Sequence, residues 1–508
     1  MNYRHSGILL HPSSLPGDYG IGTLGNNAEQ WIDDLQKAGQ KWWQILPLGH
    51  TGFGDSPYQC FSSFAGNPLL IDFERLMEMG LLMSGDFESC RTKEPSERVD
   101  FHNVILKKYP VLRLAYKRFL EQDRKDIKRD FDDFCRTNDC WLHDYALFLE
   151  IKNFHNHLPW HQWTEPFKKR DEAAMTAFHK RFSVETGFHC FCQWIFFRQW
   201  REIKKYANDR QIEIIGDIPL YVAYDSADAW ATPALFQFDK DLNPKVVAGV
   251  PPDYFSATGQ LWGNPIYDWK QHQKDGFQWW IRRFEASLEL YDWIRIDHFR
   301  GFAAYWAVPY GDPTAENGKW IPAPGKALFK TLAKHFGQLN IIAEDLGVIT
   351  PDVIRLRDEF NFPGMKILQY AFESDNNENM PHNFTQDCVV YTGTHDNETT
   401  QGWYENLNPE AQNRLHTYLQ SDGADVHWKL IRLAYASVAD FAIVPMQDIL
   451  GLNNNARMNV PGTVGNYNWQ WRLQKKQVGE DTWRVLQFLA ELFGRGNTHN
   501  CNASFNNL

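Results

Sequence analysis

No run of eighteen apolar residues occurs anywhere in the chain, which excludes a membrane-spanning helix. Positive charge is also short. Lys and Arg number 52 against 63 Asp and Glu, and a net charge of −11 argues against a nucleic-acid partner. The opening MNYRHSGILLHPSS lacks the apolar core of a signal peptide, so a cytoplasmic location is expected. Without a secretion signal, the glycosylation triplets opened by Asn383, Asn397 and Asn502 read as chance. The eight cysteines show no metal spacing. Cys190 and Cys192 make only a CxC, and Cys135 and Cys140 stand five apart, so buried, reduced thiols are expected. The Gly-rich stretch from Thr51 to Tyr58 has no closing G-K-[ST] and no helix start after it, so it is no phosphate loop.

Aromatic residues, by contrast, are plentiful: 21 Trp, 20 Tyr and 35 Phe. Most must be core, but aromatic faces also stack on apolar ligand faces such as those of sugar rings. With 508 residues, the chain can form one large enzyme domain with insertions, or two to three ordinary domains.

Short apolar runs recur along the chain. They begin near Gly7, Trp43, Ile212, Trp293, Asn340, Met365, Cys388 and Ala442, and helical spacing fills most of the intervals. Ala28 to Gly39, Phe191 to Ala207, Gln278 to Glu289, Lys326 to Phe336 and Trp428 to Ala436 read as helices. Pro351 opens another. Eight strands with intervening helices predict an α/β fold, a (β/α)₈ barrel spanning 1–508 as a single catalytic domain. Residues 71–187 are charged and helix-patterned, which predicts a mostly helical insertion after the second strand. Residues 225–267 read as an inserted loop region. Its last part, Pro251 to Tyr267, is punctuated by Gly and Pro yet rich in aromatics, as an active-site lid would be. No C-terminal β-sandwich is expected.

Asp217, Asp297, Glu344 and Asp396 each follow a strand, which in a barrel places them on the C-terminal rim where active sites form. Asp297 lies in YDWIRIDHFRG. Arg295 and Arg300 beside it would keep its carboxylate ionised. Three acids in one pocket cannot all ionise, so Glu344 is the candidate for a raised pKa. One ionised and one protonated carboxyl is the arrangement of glycoside chemistry. His395 and Arg295 could donate to sugar hydroxyls. Two other readings use the same residues. His11, Asp297, His298, His395 and Asp396 could hold a divalent metal, and the aromatic loops alone could serve a non-catalytic glucan-binding protein.

The blocks SGILLHPSSLPGDYGIGTLG, LPLGHTGFGDSPYQ, GDIPLYV, PPDYFSATGQLWGNPIYDW, RIDHFRG, AEDLG, THDN and PGTVGNYNW stand in this order, and with them the chain resembles the 4-α-glucanotransferases (amylomaltases) of the α-amylase superfamily. The resemblance implies a retaining transferase that moves α-1,4-glucan segments to the 4-hydroxyl of an acceptor through a covalent glucosyl–enzyme. It implies Asp297 as nucleophile, Glu344 as general acid and base, and Asp396 with His395 as stabilisers of the sugar at the cleavage point. Arg295 would orient Asp297, and Ser56 and Tyr58 would line that same sugar. Gln260, Trp262 and Phe255 would form a lid over the acceptor side. Asp217 would bind substrate or brace the rim, with bracing preferred. The implied partners are malto-oligosaccharides and α-1,4-glucans, for a monomer or homodimer needing no cofactor, no metal, no nucleic acid and no membrane.

Overall fold

The computed structural model describes residues 4–92, 96–252, 256–374, 377–465 and 467–496. These contain twelve strands: β1 (His5–Leu9), β2 (Trp42–Gln44), β3 (Glu213–Ile218), β4 (Val246–Val250), β5 (Gln260–Pro265), β6 (Trp293–Ile296), β7 (Ala304–Pro309), β8 (Lys319–Pro322), β9 (Ile341–Ala343), β10 (Gly364–Ile367), β11 (Cys388–Tyr391) and β12 (Phe441–Pro445). Eight of them form one sheet in the order β10-β11-β12-β1-β2-β3-β6-β9, and every neighbouring pair is parallel. Where β9 meets the start of β10, the Ala343 N–H donates to the Pro363 carbonyl at 2.9 Å and draws the two edges together. The result is the expected (β/α)₈ barrel, with all eight strands where the apolar runs placed them.

Period-two alternation explains its interior. Leu9, Trp42, Ile215, Ile342, Val389, Tyr391 and Ile443 pack together as one cluster that fills the barrel. Their strand neighbours Ile8, Trp43, Ile214, Ile341, Val390 and Val444 join the outer core beneath the helices. On β6 the same alternation sends Ile294 and Ile296 outward and leaves Trp293 and Arg295 facing in. On β3 it leaves Ile215 and Asp217 facing in. Because Asp217 pairs in register with Arg295, an acid and a guanidinium meet inside the barrel, one layer below its rim.

The described residues of 71–187 are mostly helical, including Phe101–Glu121, Lys125–Thr137 and Asp139–Phe154. The helical segment does not end at residue 187, however. Ser183–Asp209 is one 27-residue helix that starts among these helices and finishes in the barrel's outer layer ahead of β3. Its Trp200 donates to the Leu290 carbonyl at 2.9 Å, tying it to the helix before β6. The helical segment and the barrel thus share one continuous outer core, which holds most of the aromatic residues.

The loop reading of 225–267 is corrected. This segment carries a short helix, Ala227–Ala231, and the strands β4 and β5. With β7 and β8 these strands form a second, antiparallel sheet in the order β5-β4-β7-β8. Tyr254 and Phe255 of the expected lid lie outside the described residues.

Gly216 on β3 shows how tightly the outer core closes around the site. A Cβ there would lie 2.1 Å from the Tyr291 ring, and Tyr291 is itself buried. Gly216→Ala should destabilise the fold by about 1–3 kcal/mol, the usual penalty for overpacking. A guanidinium unfolding curve reads this directly, and an unshifted midpoint would contradict the packing described.

Candidate active site

The site is built upward from the buried ion pair. The Arg295 Nη1 donates to Asp217 Oδ2 at 2.6 Å, and its Nη2 donates to Asp297 Oδ1 at 3.2 Å. The Arg295 side chain is 4% exposed and that of Asp217 0%, whereas Asp297 is 31% exposed. The guanidinium therefore joins a fully enclosed acid to one that opens on solvent. The Tyr58 hydroxyl donates to the same Asp217 oxygen at 2.8 Å. Asp217 accordingly stands behind Arg295 and Tyr58 and outside the cleft lining. It is also not beyond the strand end but part of β3, facing in.

Asp297 leaves β6 at the rim. The next residue, His298, adopts the left-handed region (φ +53°), which turns the chain sharply. This turn presents the His298 N–H to Glu344 Oε2 at 2.6 Å, while the Leu346 N–H reaches Oε1 at 3.1 Å. The Glu344 N–H in turn donates to the Ile296 carbonyl at 3.1 Å. The ends of β6 and β9 are thereby stitched together, with both carboxyls at one place.

Burial pushes the Glu344 carboxyl up to about 8, and the charge of Asp297 adds to it. Arg295 and the two backbone donors pull the other way. Asp297 is pushed up to about 6, again chiefly by burial, with Asp217 and Asp396 adding and Arg295 opposing. The expected order, Glu344 above Asp297, holds. The expected cause does not. Burial outweighs the guanidinium, and Arg300 does not flank Asp297 at all, since its Nη1 donates to the Val348 carbonyl.

Asp396 is 42% exposed. Asn459 donates to its Oδ1 at 2.6 Å, and the His395 Nε2 lies 3.5 Å from its Oδ2. The Arg457 Nη2 donates to its backbone carbonyl at 2.6 Å. His395 stacks on Tyr58, with ring centroids 5.2 Å apart and planes 15° apart. Burial lowers its pKa, with the charge of Asp396 opposing.

Asp297, Glu344 and Asp396 open into one cleft of about 710 Å³. Ser56, Tyr58, Gln260, Trp262, Arg295 and His395 also line it. The Trp262 indole donates to Gln260 Oε1 at 3.2 Å, and its ring meets that of His298 edge-on at 4.7 Å. Of the residues assigned from the sequence, the cleft gathers all except Asp217, which lies behind it, and Phe255, which is outside the described residues. Sequence reading passes over Arg457, Asn459 and Trp469, which come from the segment leading into and through PGTVGNYNW. That block is recognisable as a motif, but nothing in it announces chemistry.

Among the described residues no group of three or more His, Cys, Asp and Glu is arranged to hold a metal ion. His11 is buried away from the cleft lining, and His298 packs against Trp262. Asp297, His298, His395 and Asp396 share the cleft without forming such a group, and His11 stands outside its lining. The arrangement can instead do acid–base and nucleophilic chemistry: a protonated carboxyl, a readily ionised one, and donors on both sides.

Residues 10–477 match the family described as 4-alpha-glucanotransferase. A 4-alpha-glucanotransferase of Synechocystis sp. is 51% identical, the alignment covering 97% of this chain and 99% of the relative. One from Thermus thermophilus is 47% identical over 96% and 98%. Among solved structures, the amylomaltase from Streptococcus agalactiae in complex with acarbose superposes with a TM-score of 0.94 at 42% identity, covering 97% of this chain and all of the other.

The paired carboxyls set a pH window. With the roles expected from the sequence, Asp297 would act ionised and Glu344 protonated, so kcat/KM should rise through about pH 6 and fall through about pH 8. The two limbs are properties of the pair, not of either residue alone. A kcat/KM profile measured across that range checks this, and a falling limb that lay below about pH 6 would contradict the roles of the two acids.

Proposed function

This chain belongs to the 4-alpha-glucanotransferase family, and we propose that it carries out the family's transfer reaction with Asp297 as nucleophile and Glu344 as general acid and base. The enzyme moves α-1,4-glucan segments from a donor to an acceptor glucan or glucose. The observation that carries the residue assignment is the pair of carboxyls at the ends of β6 and β9, in one cleft, with Glu344 holding its proton more tightly than Asp297.

The donor chain lies across the cleft. Glu344 protonates the glycosidic oxygen as Asp297 attacks the anomeric carbon, and the shortened glucan leaves with the proton on its new 4-hydroxyl. A glucosyl ester on Asp297 remains. Glu344, now ionised, takes the proton from the 4-hydroxyl of an incoming acceptor, whose oxygen displaces Asp297. Two inversions retain the α configuration. Arg295 holds Asp297 in line for attack. Asp396 and His395 bind hydroxyls of the sugar at the cleavage point and tighten as positive charge develops there. Ser56 and Tyr58 flank that sugar. Gln260 and Trp262 form the acceptor side, and no metal or organic cofactor enters any step. The acarbose held by the Streptococcus agalactiae amylomaltase supports an oligosaccharide ligand in this cleft. Seven free cysteines among the described residues fit a reducing, cytoplasmic setting, in which the enzyme works as a monomer or homodimer on malto-oligosaccharides, without a nucleic-acid or membrane partner.

Incubation with maltotriose should give a ladder of longer oligosaccharides together with glucose. Asp297→Asn should abolish the ladder with the fold intact, because a neutral amide cannot attack the anomeric carbon. Product chromatography decides both points. Short products alone would mean hydrolysis, and near-normal turnover by the variant would remove Asp297 from the mechanism.

Water needs no stacking platform, whereas an acceptor sugar does. Trp262→Ala should therefore cost about 1–2 kcal/mol of acceptor binding and lower transfer far more than hydrolysis. The ratio of released reducing ends to transferred glucosyl units, measured beside a thermal melt, tests this. Equal loss of both activities with a lowered melting temperature would make Trp262 a brace of the rim only.

A further inference from the structure

The segment that carries Asp297 reaches away from the nucleophile at two alternate residues, and each lands under a tryptophan of the second sheet. His298 meets Trp262 of β5 edge-on at 4.7 Å. Arg300 lies over Trp320 of β8, its guanidinium carbon 3.8 Å from the ring centroid. The same two residues hold the segment that carries Glu344. The His298 N–H donates to the Glu344 carboxyl at 2.6 Å, and the Arg300 Nη1 donates to the carbonyl of Val348, four residues further on.

Arg300 is an expensive side chain to place there. It is 7% exposed, and its Nε is buried without a partner among the described residues. A buried guanidinium costs free energy that hydrogen bonds and ring stacking only partly return. β8 gains little from it, being already paired along β7. What Arg300 does accomplish is to join three things: the helical turn after Asp297, the 344–348 segment, and the sheet that forms the acceptor wall. Val348 and Trp320 are both substantially exposed and both line the cleft, and the guanidinium between them bridges one to the other.

We propose that Arg300 is a positioning residue for Glu344. It clamps the Val348 carbonyl against Trp320, so that the acid–base carboxyl stands at a set distance from the wall on which the acceptor lies. The second sheet then does more than cover the site, because the place of the proton donor is fixed relative to it. This inference rests on the assignment of Glu344 as acid and base.

The test compares two donors whose leaving groups differ in their need for that proton. Maltotriose needs its leaving oxygen protonated, whereas fluoride leaves α-maltosyl fluoride without help. Arg300→Met keeps the stem and removes the clamp. Its kcat/KM on maltotriose should fall by about 10²-fold, the size of effect expected from ångström-scale misplacement of a catalytic group. Its kcat/KM for fluoride release should stay within a few-fold of wild type, and Arg300→Lys should recover part of the loss. Equal losses on both donors, or no loss on either, would overturn the proposal. Glu344→Ala run on the same two donors keeps the premise separate. If that variant still turned over maltotriose, the assignment of Glu344 itself would fall, whatever Arg300 does.

Discussion

One buried guanidinium organises this site. Arg295 lies inside the barrel with Asp217 at 2.6 Å on one side and Asp297 at 3.2 Å on the other. A charge so enclosed is tolerated because it is paired twice, and removing it would leave the enclosed Asp217 without its ion-pair partner. Tyr58 hangs from the same Asp217 oxygen, and His395 stacks on Tyr58. The loop around residues 53–58, Asp297 and the ring beside Asp396 thus take their positions from a single ion pair below the rim.

Proton affinity in the cleft follows from enclosure before it follows from neighbours. Both Asp297 and Glu344 are raised chiefly by burial, and Arg295 opposes the rise in both. Asp217 and Asp396 add to the rise at Asp297, and Asp297 adds to it at Glu344, where the two backbone N–H donors oppose it.

The second sheet gains meaning from where it is inserted. β4 and β5 fill the connection from β3 to β6, and β7 and β8 fill the connection from β6 to β9. The two insertions bracket the strand that delivers Asp297 and pair with each other through β4 and β7. One wall of the cleft therefore grows from both sides of Asp297, which is why residues just after Asp297 can touch both that wall and the Glu344 segment. The helical segment between β2 and β3 contributes differently, by sharing the outer core through the helix Ser183–Asp209.

The barrel and its acids were legible in the chain because buried parallel strands are short, apolar and closed by charge. Trp293 to Ile296 ending at Asp297, Ile341 to Ala343 ending at Glu344, and Cys388 to Tyr391 leading to His395 and Asp396 all announce themselves in this way. The second sheet was not legible. β8 is exposed along its whole length and shows no alternation, and β5 is only half covered and punctuated by Gly263. Sequence therefore determined which acids share a rim. Only the tertiary structure decided that Asp217 faces inward behind Arg295, that Arg300 turns to Trp320 and Val348 and not to Asp297, and that burial sets both pKa values. Those outcomes depend on distances and on the exclusion of water, and neither exists until the strands have closed.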